Sequence, residues 1–435
     1  QVDIVKETLS SKRIELSQYS LPNMIIPAQI QAAKSEPPPI WTSPDPFHYG
    51  SHDLFPQTWF ELKDTFRMRD YTIQPIWVNP VRYRAADGEV ELLEKLELRL
   101  TWQDNQIDGV QRVVFNDSPS FDRMVSQIVI NPPEPALFDR KAEKQEGYLI
   151  ITPDELEPAL TEFITLKEDQ GFDVEVRTLS ESGLTAPEIQ NFIKNAYQTW
   201  PVRPTYLLLV GDTNFIPGFN TTNYNNFAIY FDKTTDLYYG TMDEDFFPDI
   251  AVGRLPVNNL SDLEIILNKI IAYNSLGFQD WHIQTSFISS CDHYSVSEGS
   301  HNHVISNFTS PLNYPAFFPT NLTTTGGDKL YCHKYSAREG NIVDSINNKR
   351  GVITYSGHGN YLSWTELDSS IYNITSSDLH SLVENQAYSF VASFACVTND
   401  FGNSTYESVF GETWMLLENK GAVAFLGSAD DTYWD

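Results

Sequence analysis

The sequence predicts a chain of two parts, a β-rich, sandwich-like amino-terminal domain and then an α/β domain whose mainly parallel sheet is covered by helices. Three observations lead there. Residues 1 to about 130 carry period-two runs such as Glu89 to Trp102, a break at Pro37 to Pro39, and hardly any helical periodicity. Next comes Asn131-Pro132-Pro133-Glu134-Pro135, followed by Asp139-Arg140-Lys141-Ala142-Glu143-Lys144, and stiff proline beside solvated charge makes an exposed linker. From Gly147 onward, short apolar strands alternate with amphipathic helices, the texture of parallel strands joined by helical crossovers. The boundaries that follow are 1–140, a linker at 141–146, and 147–435.

In the second part the apolar runs predict strands at Tyr148 to Thr152, Val174 to Leu179, Tyr206 to Asp212 and Asp249 to Arg254. Further strands are predicted at Ser286 to Ser290, Gly351 to Ser356, Tyr388 to Cys396 and Val423 to Ser428. Helical periodicity covers Glu155 to Gln170, Ala186 to Thr199, Ser261 to Ser275, Ala337 to Asn348 and Tyr406 to Asn419. A length of 435 residues, with 41% hydrophobic and 13% aromatic, is enough to fill two cores.

Lysine and arginine number 29 against 58 acids, a net charge of −29. Most of the surface would repel a polyanion, so nucleic acid is not the expected partner. No GxxxxGK[ST] loop or GxGxxG turn supports nucleotide chemistry. No stretch reaches the roughly 18 apolar residues of a membrane-spanning helix. The first residue is Gln1 rather than Met, which agrees with an export signal already removed and a secreted, cell-surface or periplasmic location. Of three cysteines, Cys291, Cys332 and Cys396, a bridge would use two and leave one over. Cys291 and Cys332 are read either as that bridge or as two buried thiols.

In open α/β sheets reactive groups gather beyond the carboxyl ends of the strands. Gly351-Val-Ile-Thr-Tyr-Ser-Gly-His358-Gly359 delivers a histidine between two glycines, and Tyr388-Ser-Phe-Val-Ala-Ser-Phe-Ala-Cys396 delivers a thiol in the same way. A cysteine nucleophile needs a partner that takes its proton, and histidine is the usual one. Glycine at 359 lets substrate backbone approach, and the amides of Gly359 and Cys396 are the candidate oxyanion donors. Taken singly, such a cysteine reads as a small core residue and such a histidine as structural. Matched positions on consecutive strands leave catalysis and the structural reading evenly balanced.

The segment Thr354-Tyr-Ser-Gly-His358-Gly359, with Phe394-Ala-Cys396-Val-Thr-Asn-Asp-Phe401, resembles the His-Gly and Ala-Cys boxes of the gingipains, members of the caspase-like and legumain-like peptidases. Leu208-Leu-Val-Gly-Asp212, Phe247-Pro-Asp-Ile-Ala-Val-Gly-Arg254, Val409-Phe-Gly-Glu412, Gly421-Ala-Val-Ala-Phe-Leu-Gly-Ser428 and Tyr433-Trp434 extend the resemblance over most of 147–435. It implies a caspase-like catalytic domain and a secreted cysteine endopeptidase made as a zymogen, with Cys396 as nucleophile and His358 as general base and acid. Its partners would be protein or peptide substrates and its own prodomain in cis, the latter cut away between Arg140 and Lys144. It also implies an orienting acid at Asp292 and a substrate-selecting acid at Glu298, in a shorter loop and as Glu where arginine-specific members carry Asp; Glu298 reads at least as well as a helix N-terminal acid with no role beyond capping. Trp434 would stand at the rim of the specificity pocket. A structural calcium ion is implied too, for which Asp243-Glu-Asp245 through Asp249 offers acids that read first as a solvated turn. No catalytic cofactor is implied. The resemblance further implies that the catalytic domain continues past Asp435, in the same chain or in a second one.

Three other functions compete. His293, His301 and His303 near Asp292 raise a metal hydrolase, but no HExxH or paired CxxC pattern accompanies them. A surface transpeptidase would use the same thiol and imidazole, and trapping with an added amine would reveal it. A non-catalytic binding scaffold has no chemical reason to keep both His358 and Cys396.

Overall fold

Apolar runs such as Leu149 to Ile151 and Leu207 to Val210, buried on both faces, form the central strands of the α/β part, as parallel strands covered by helices require. The computed structural model describes residues 2–15, 49–102, 118–132, 146–220, 233–243, 245–320, 325–365 and 373–433. These fall into two compact units. One holds the described residues up to 132 together with 243 and 245–249, and the other holds the rest from 146 on. Linker residues 141–145, Pro37 to Pro39 and Trp434 lie outside the described residues.

In the first unit β1 (Val2–Glu15) pairs antiparallel with β4 (Glu89–Trp102). The sheet runs β1-β4-β3-β2, where β2 is Leu54–Phe55 and β3 is Val81–Arg84. Two small antiparallel ladders join Phe60–Leu62 to Ile76–Val78 and Phe66–Met68 to Tyr71–Ile73. The β-rich expectation holds here, except that Pro119–Ile128 forms a helix, α1. Its start is local chemistry: the Ser118 side chain accepts the Phe121 N–H and Pro119 opens the first turn. Phe121 and Val125 then pack with Met68.

The acidic turn belongs to this unit. Asp245 accepts N–H groups from Arg67 (2.7 Å) and Phe247 (2.8 Å). Asp249 accepts the Arg69 N–H at 2.5 Å, and the Arg69 guanidinium donates to the Asp249 carbonyl at 2.9 Å. Burial also pushes the Asp243 carboxyl above its ordinary value. Among the described residues no group of three or more His, Cys, Asp or Glu is arranged to hold a metal ion.

The second unit contains two parallel sheets where the sequence suggested one. The first has the order β6-β5-β7-β8, from β5 (Gly147–Thr152), β6 (Asp173–Thr178), β7 (Pro204–Val210) and β8 (Ala251–Leu255). The second has the order β10-β9-β11-β13-β14. Its strands are β9 (Thr285–Ser289), β10 (Asp328–Tyr331), β11 (Val352–Ser356), β13 (Ser389–Phe394) and β14 (Ala422–Gly427). Between β11 and β13 the chain makes a short antiparallel excursion that begins with β12 (His358–Asn360). Helices α2 (Thr161–Asp169), α3 (Ala186–Thr199), α4 (Leu260–Ser275), α5 (Tyr294–Val304), α6 (Cys332–Tyr335), α7 (Glu339–Asn347) and α8 (Phe410–Leu416) connect these strands. One continuous core holds both sheets together, with Ile150 and Leu208 from the first and Ile288, Ile353 and Val391 from the second. Strand β10 went unforeseen in the sequence because its four residues, Asp-Lys-Leu-Tyr, are half polar. No described helix is long and apolar enough to cross a membrane.

Lys269 on α4 is 2% exposed and donates to the carbonyls of Trp414 and Met415, the last turn of α8. The ammonium satisfies carbonyls that the helix end leaves without partners. Burial nevertheless pushes its pKa down to about 7 from 10.5. The charged form is therefore penalised in the fold, and stability should rise as pH climbs from about 7 to about 10.5, where only the unfolded chain still holds the proton. Replacing Lys269 by Met should remove this slope, so that the wild-type melting temperature gains on the variant across that range, by on the order of 1–3 kcal/mol in stability. Parallel melting curves would refute the assignment.

Candidate active site

Asp292, His358 and Cys396 each follow closely on the end of a strand of the second sheet, held there by local features of the sequence. The ladder between β9 and β11 continues one step past β9, where the Ser290 N–H donates to the Ser356 carbonyl at 3.2 Å. Asp292 follows, half-buried, with Oδ2 2.5 Å from His358 Nε2. Burial pushes the Asp292 carboxyl up, but the hydrogen bond and charge of His358, helped by Ser290 and His293, outweigh it and hold the carboxyl below its ordinary value. His293 takes a left-handed φ of 42° and starts α5.

His358 opens β12 immediately after Gly357. A Cβ at 357 would lie 2.3 Å from the Tyr355 hydroxyl, so only glycine fits this turn. That hydroxyl donates to the carbonyls of His358 (2.8 Å) and Thr365 (3.1 Å), which fixes the backbone carrying the imidazole. Sequence reasoning missed Tyr355 as a support, although it lies inside the histidine box.

Cys396 lies two residues past β13 and is 1% exposed. Val397 adopts φ 48°, and its N–H reaches the Asp430 carbonyl at 3.1 Å. Strand β14 thereby returns a short arm over the thiol: Thr432 donates its N–H to Sγ at 3.3 Å and places Oγ1 3.6 Å away. No motif in the sequence pointed to Thr432. A Cβ added to Gly359 would come within 2.9 Å of the Cys396 carbonyl oxygen and 2.7 Å of Thr398 Cγ2. The backbone next to His358 thus lies directly against that of Cys396, and glycine permits the approach.

On the helix that follows β13, Glu412 caps the start of α8 by accepting the Val409 N–H at 2.8 Å. Burial, with Asp212 adding to it, pushes its carboxyl up to about 8.

Glu298 lies elsewhere. Of the two readings, a selecting acid ahead of a helix and an acid in the helix itself, the second is the nearer one: α5 begins at Tyr294, which puts Glu298 on a buried helical face. Its carboxylate accepts the Lys334 N–H of α6 at 3.1 Å and stands 4.0 Å from His333. His301 is buried beside the Ser289 hydroxyl at 3.1 Å, and His303 is exposed near Asn307. Of the two cysteine alternatives, the bridge is the one found: Cys291 and Cys332 form a disulfide, leaving Cys396 as the free thiol.

Three neighbouring parallel strands thus present a carboxylate, an imidazole and a thiol at one end of a sheet, the layout of a caspase-like α/β cysteine-peptidase fold. Residues 141–435 match the family model for peptidase family C25, and the chain belongs to that family. Among curated proteins it is similar to Lys-gingipain HG66 of Porphyromonas gingivalis, 25% identical over 381 residues, covering 84% of this chain and 20% of the relative. It is also similar to gingipain R1 of the same organism, 23% identical over 448 residues, covering 98% of this chain and 41% of the relative. The chain therefore spans less than half the length of either. Of solved structures, the Arg-specific cysteine proteinase gingipain R aligns with a TM-score of 0.54 at 24% identity, covering 68% of this chain and 65% of that one. A complex of the pro- and mature domains of Porphyromonas gingivalis RgpB aligns with a TM-score of 0.54 at 23% identity, covering 66% of this chain and 64% of that one. At these identities the structures support the fold.

Proposed function

We propose that this chain is a cysteine endopeptidase made as a zymogen and working outside the cell. The observation that carries the reading is the 2.5 Å contact of Asp292 with His358, beside Gly359, where an added Cβ would come within 2.9 Å of the Cys396 carbonyl oxygen. Cys396 gives its proton to His358 and attacks the substrate carbonyl carbon. The amides of Gly359 and Cys396 receive the charge that develops on oxygen. His358 then protonates the leaving amine, a thioacyl enzyme forms, and water activated by the same imidazole releases the acid. Asp292 keeps the ring oriented and favours its charged form.

The β-rich amino-terminal unit acts in this reading as the inhibitory prodomain, removed by a cut between Arg140 and Lys144. A structural calcium ion has the least support, because Asp245 and Asp249 already accept backbone N–H groups. A further stretch of chain past Asp435 would complete the specificity pocket, with Trp434 at its rim.

For the substrate we propose a basic P1 residue, the chemistry of the relatives named for lysine and arginine, and it would also let the enzyme cut its own linker. Selection by Glu298 would require its carboxylate to leave the Lys334 N–H and turn from a buried helical face, so the selecting group is expected to be another. A peptide library, with amino-terminal sequencing of the active species, tests both points. Basic P1 should exceed apolar P1 by about tenfold or more in kcat/KM, and Glu298→Gln should change that ratio by less than about twofold. The active species should begin within 141–147. An apolar or acidic preference would refute basic specificity, and a collapse of the ratio in Glu298→Gln would return this residue to the pocket.

A further inference from the structure

We propose that the Cys291–Cys332 disulfide is a redox-sensitive clamp that positions Asp292 against His358, so that reducing it lowers turnover while Cys396 stays intact. The inference rests on the reading of Asp292 as the acid that orients the imidazole.

Asp292 has little else to fix its backbone. The sheet ladder ends with the Ser290 N–H on the Ser356 carbonyl, and the next tie is the Ser290 hydroxyl on the Asp292 carbonyl at 3.4 Å. On the carboxylate itself, Oδ2 meets His358, whereas Oδ1 is buried with no hydrogen-bond partner among the described residues. The residue after it, His293, holds a left-handed φ of 42°, which a non-glycine residue adopts only when its surroundings impose it. Between Ser290 and His293 the strongest constraint is covalent: Cys291, next to Asp292, is bonded to Cys332.

Cys332 is a firm anchor. It is 4% exposed and is the first residue of α6, directly after β10, which pairs with β9 in the same sheet. The Arg338 guanidinium lies 3.4 Å from its sulfur. Two further contacts tie α5 to α6: the Tyr294 ring stacks on His333 at 3.5 Å, and Glu298 accepts the Lys334 N–H. These hold the body of α5. The disulfide is the covalent tie on the two residues that precede the left-handed turn, beside the weaker Ser290 hydroxyl contact and the carboxylate's own bond to His358, and a displacement of about 1 Å at a catalytic group is enough to cost turnover heavily.

Cys291 is partly exposed whereas Cys332 is buried, so an external thiolate reaches the bridge at Cys291. With dithiothreitol, one thiolate displaces the Cys332 sulfur and forms a mixed disulfide on Cys291. The second thiol of the reagent then closes its ring and releases Cys291. Two electrons and two protons pass to the cysteines, and the reagent leaves as the cyclic disulfide. Outside the cell the bridge persists, and in a strongly reducing setting it opens.

The test compares wild type, Cys291→Ala/Cys332→Ala, Asp292→Asn and the triple variant, each normalised to the number of alkylatable Cys396 thiols. The disulfide-free variant should lose about tenfold in kcat with KM within about twofold, and the triple variant should fall no further than Asp292→Asn alone. A disulfide-free kcat within twofold of wild type, or losses that simply multiply with Asp292→Asn, would overturn the clamp. If the disulfide-free variant fails to fold, wild-type protein is titrated with dithiothreitol while free thiols are counted by mass spectrometry. Turnover falling in step with the opening of this one bridge supports the clamp, and turnover unchanged after it has opened overturns it. Peptidase activity surviving Cys396→Ala would strike the underlying reading instead, so the two failures are distinguishable.

Discussion

Cys396→Ala is expected to abolish peptide hydrolysis, lowering kcat/KM by about 10⁴-fold or more, while the fold survives. The size of the loss follows from the role: with no nucleophile there is no thioacyl intermediate, and the neighbouring amides can only stabilise attack by water. The fold should tolerate the change because the side chain is 1% exposed and alanine removes a single sulfur, leaving a void worth roughly 1 kcal/mol. The measurement pairs progress curves on a fluorogenic peptide with a melting curve and titration by iodoacetamide. Wild type should take up the reagent at Cys396 with matching loss of activity. Activity in the alanine variant, or inhibition by a chelator and none by alkylation, would eliminate the cysteine mechanism.

His358→Ala should cost about 10³- to 10⁴-fold in kcat/KM, nearly as much as loss of the thiol, since the two act as one unit. It carries a second signature. Asp292 is held below its ordinary carboxylate range chiefly against the pull of burial, by the hydrogen bond and charge of His358. A depressed carboxylate contributes stability above its unfolded pKa and loses it as pH falls through the folded one. The alanine variant lacks that contribution, so its melting temperature should lie below that of wild type at neutral pH and converge with it on acidification below about pH 4. A constant gap at all pH values would mean that the Asp292–His358 contact does not form in solution.

Much of this site was legible because it rests on short-range chemistry. Gly357, His358 and Gly359 stand out in an apolar run because two close backbone approaches exclude a Cβ, and the run before Cys396 is a strand buried among parallel neighbours. Asp292 needed the family resemblance, since an acid after a strand is common. What stayed hidden depends on long-range geometry. The pairing of Cys291 with Cys332 requires β10 to lie next to β9, and the short, half-polar β10 gave no periodic signal. The place of Glu298 on a helix was obscured by a local feature instead. Helix α5 starts from a left-handed histidine rather than a serine, threonine or aspartate cap, so its true beginning was invisible. The division into two sheets was hidden too, because alternation of strand and helix specifies parallel pairing but not where one sheet stops.

The order β10-β9-β11-β13-β14 also bears on when the chain acquires its reactivity. Asp292 and His358 are 66 residues apart in sequence, and the thiol follows on yet another strand, so no two of the three meet through local folding. Each crossover must close before the next strand can align, and such non-local closures are the slow steps of folding. A partly synthesised or partly folded chain therefore carries the residues without the proximity. On the proposed mechanism the three groups can act together only once β13 has paired with β11, so reactivity would be a property of the folded sheet and of no shorter stretch of chain.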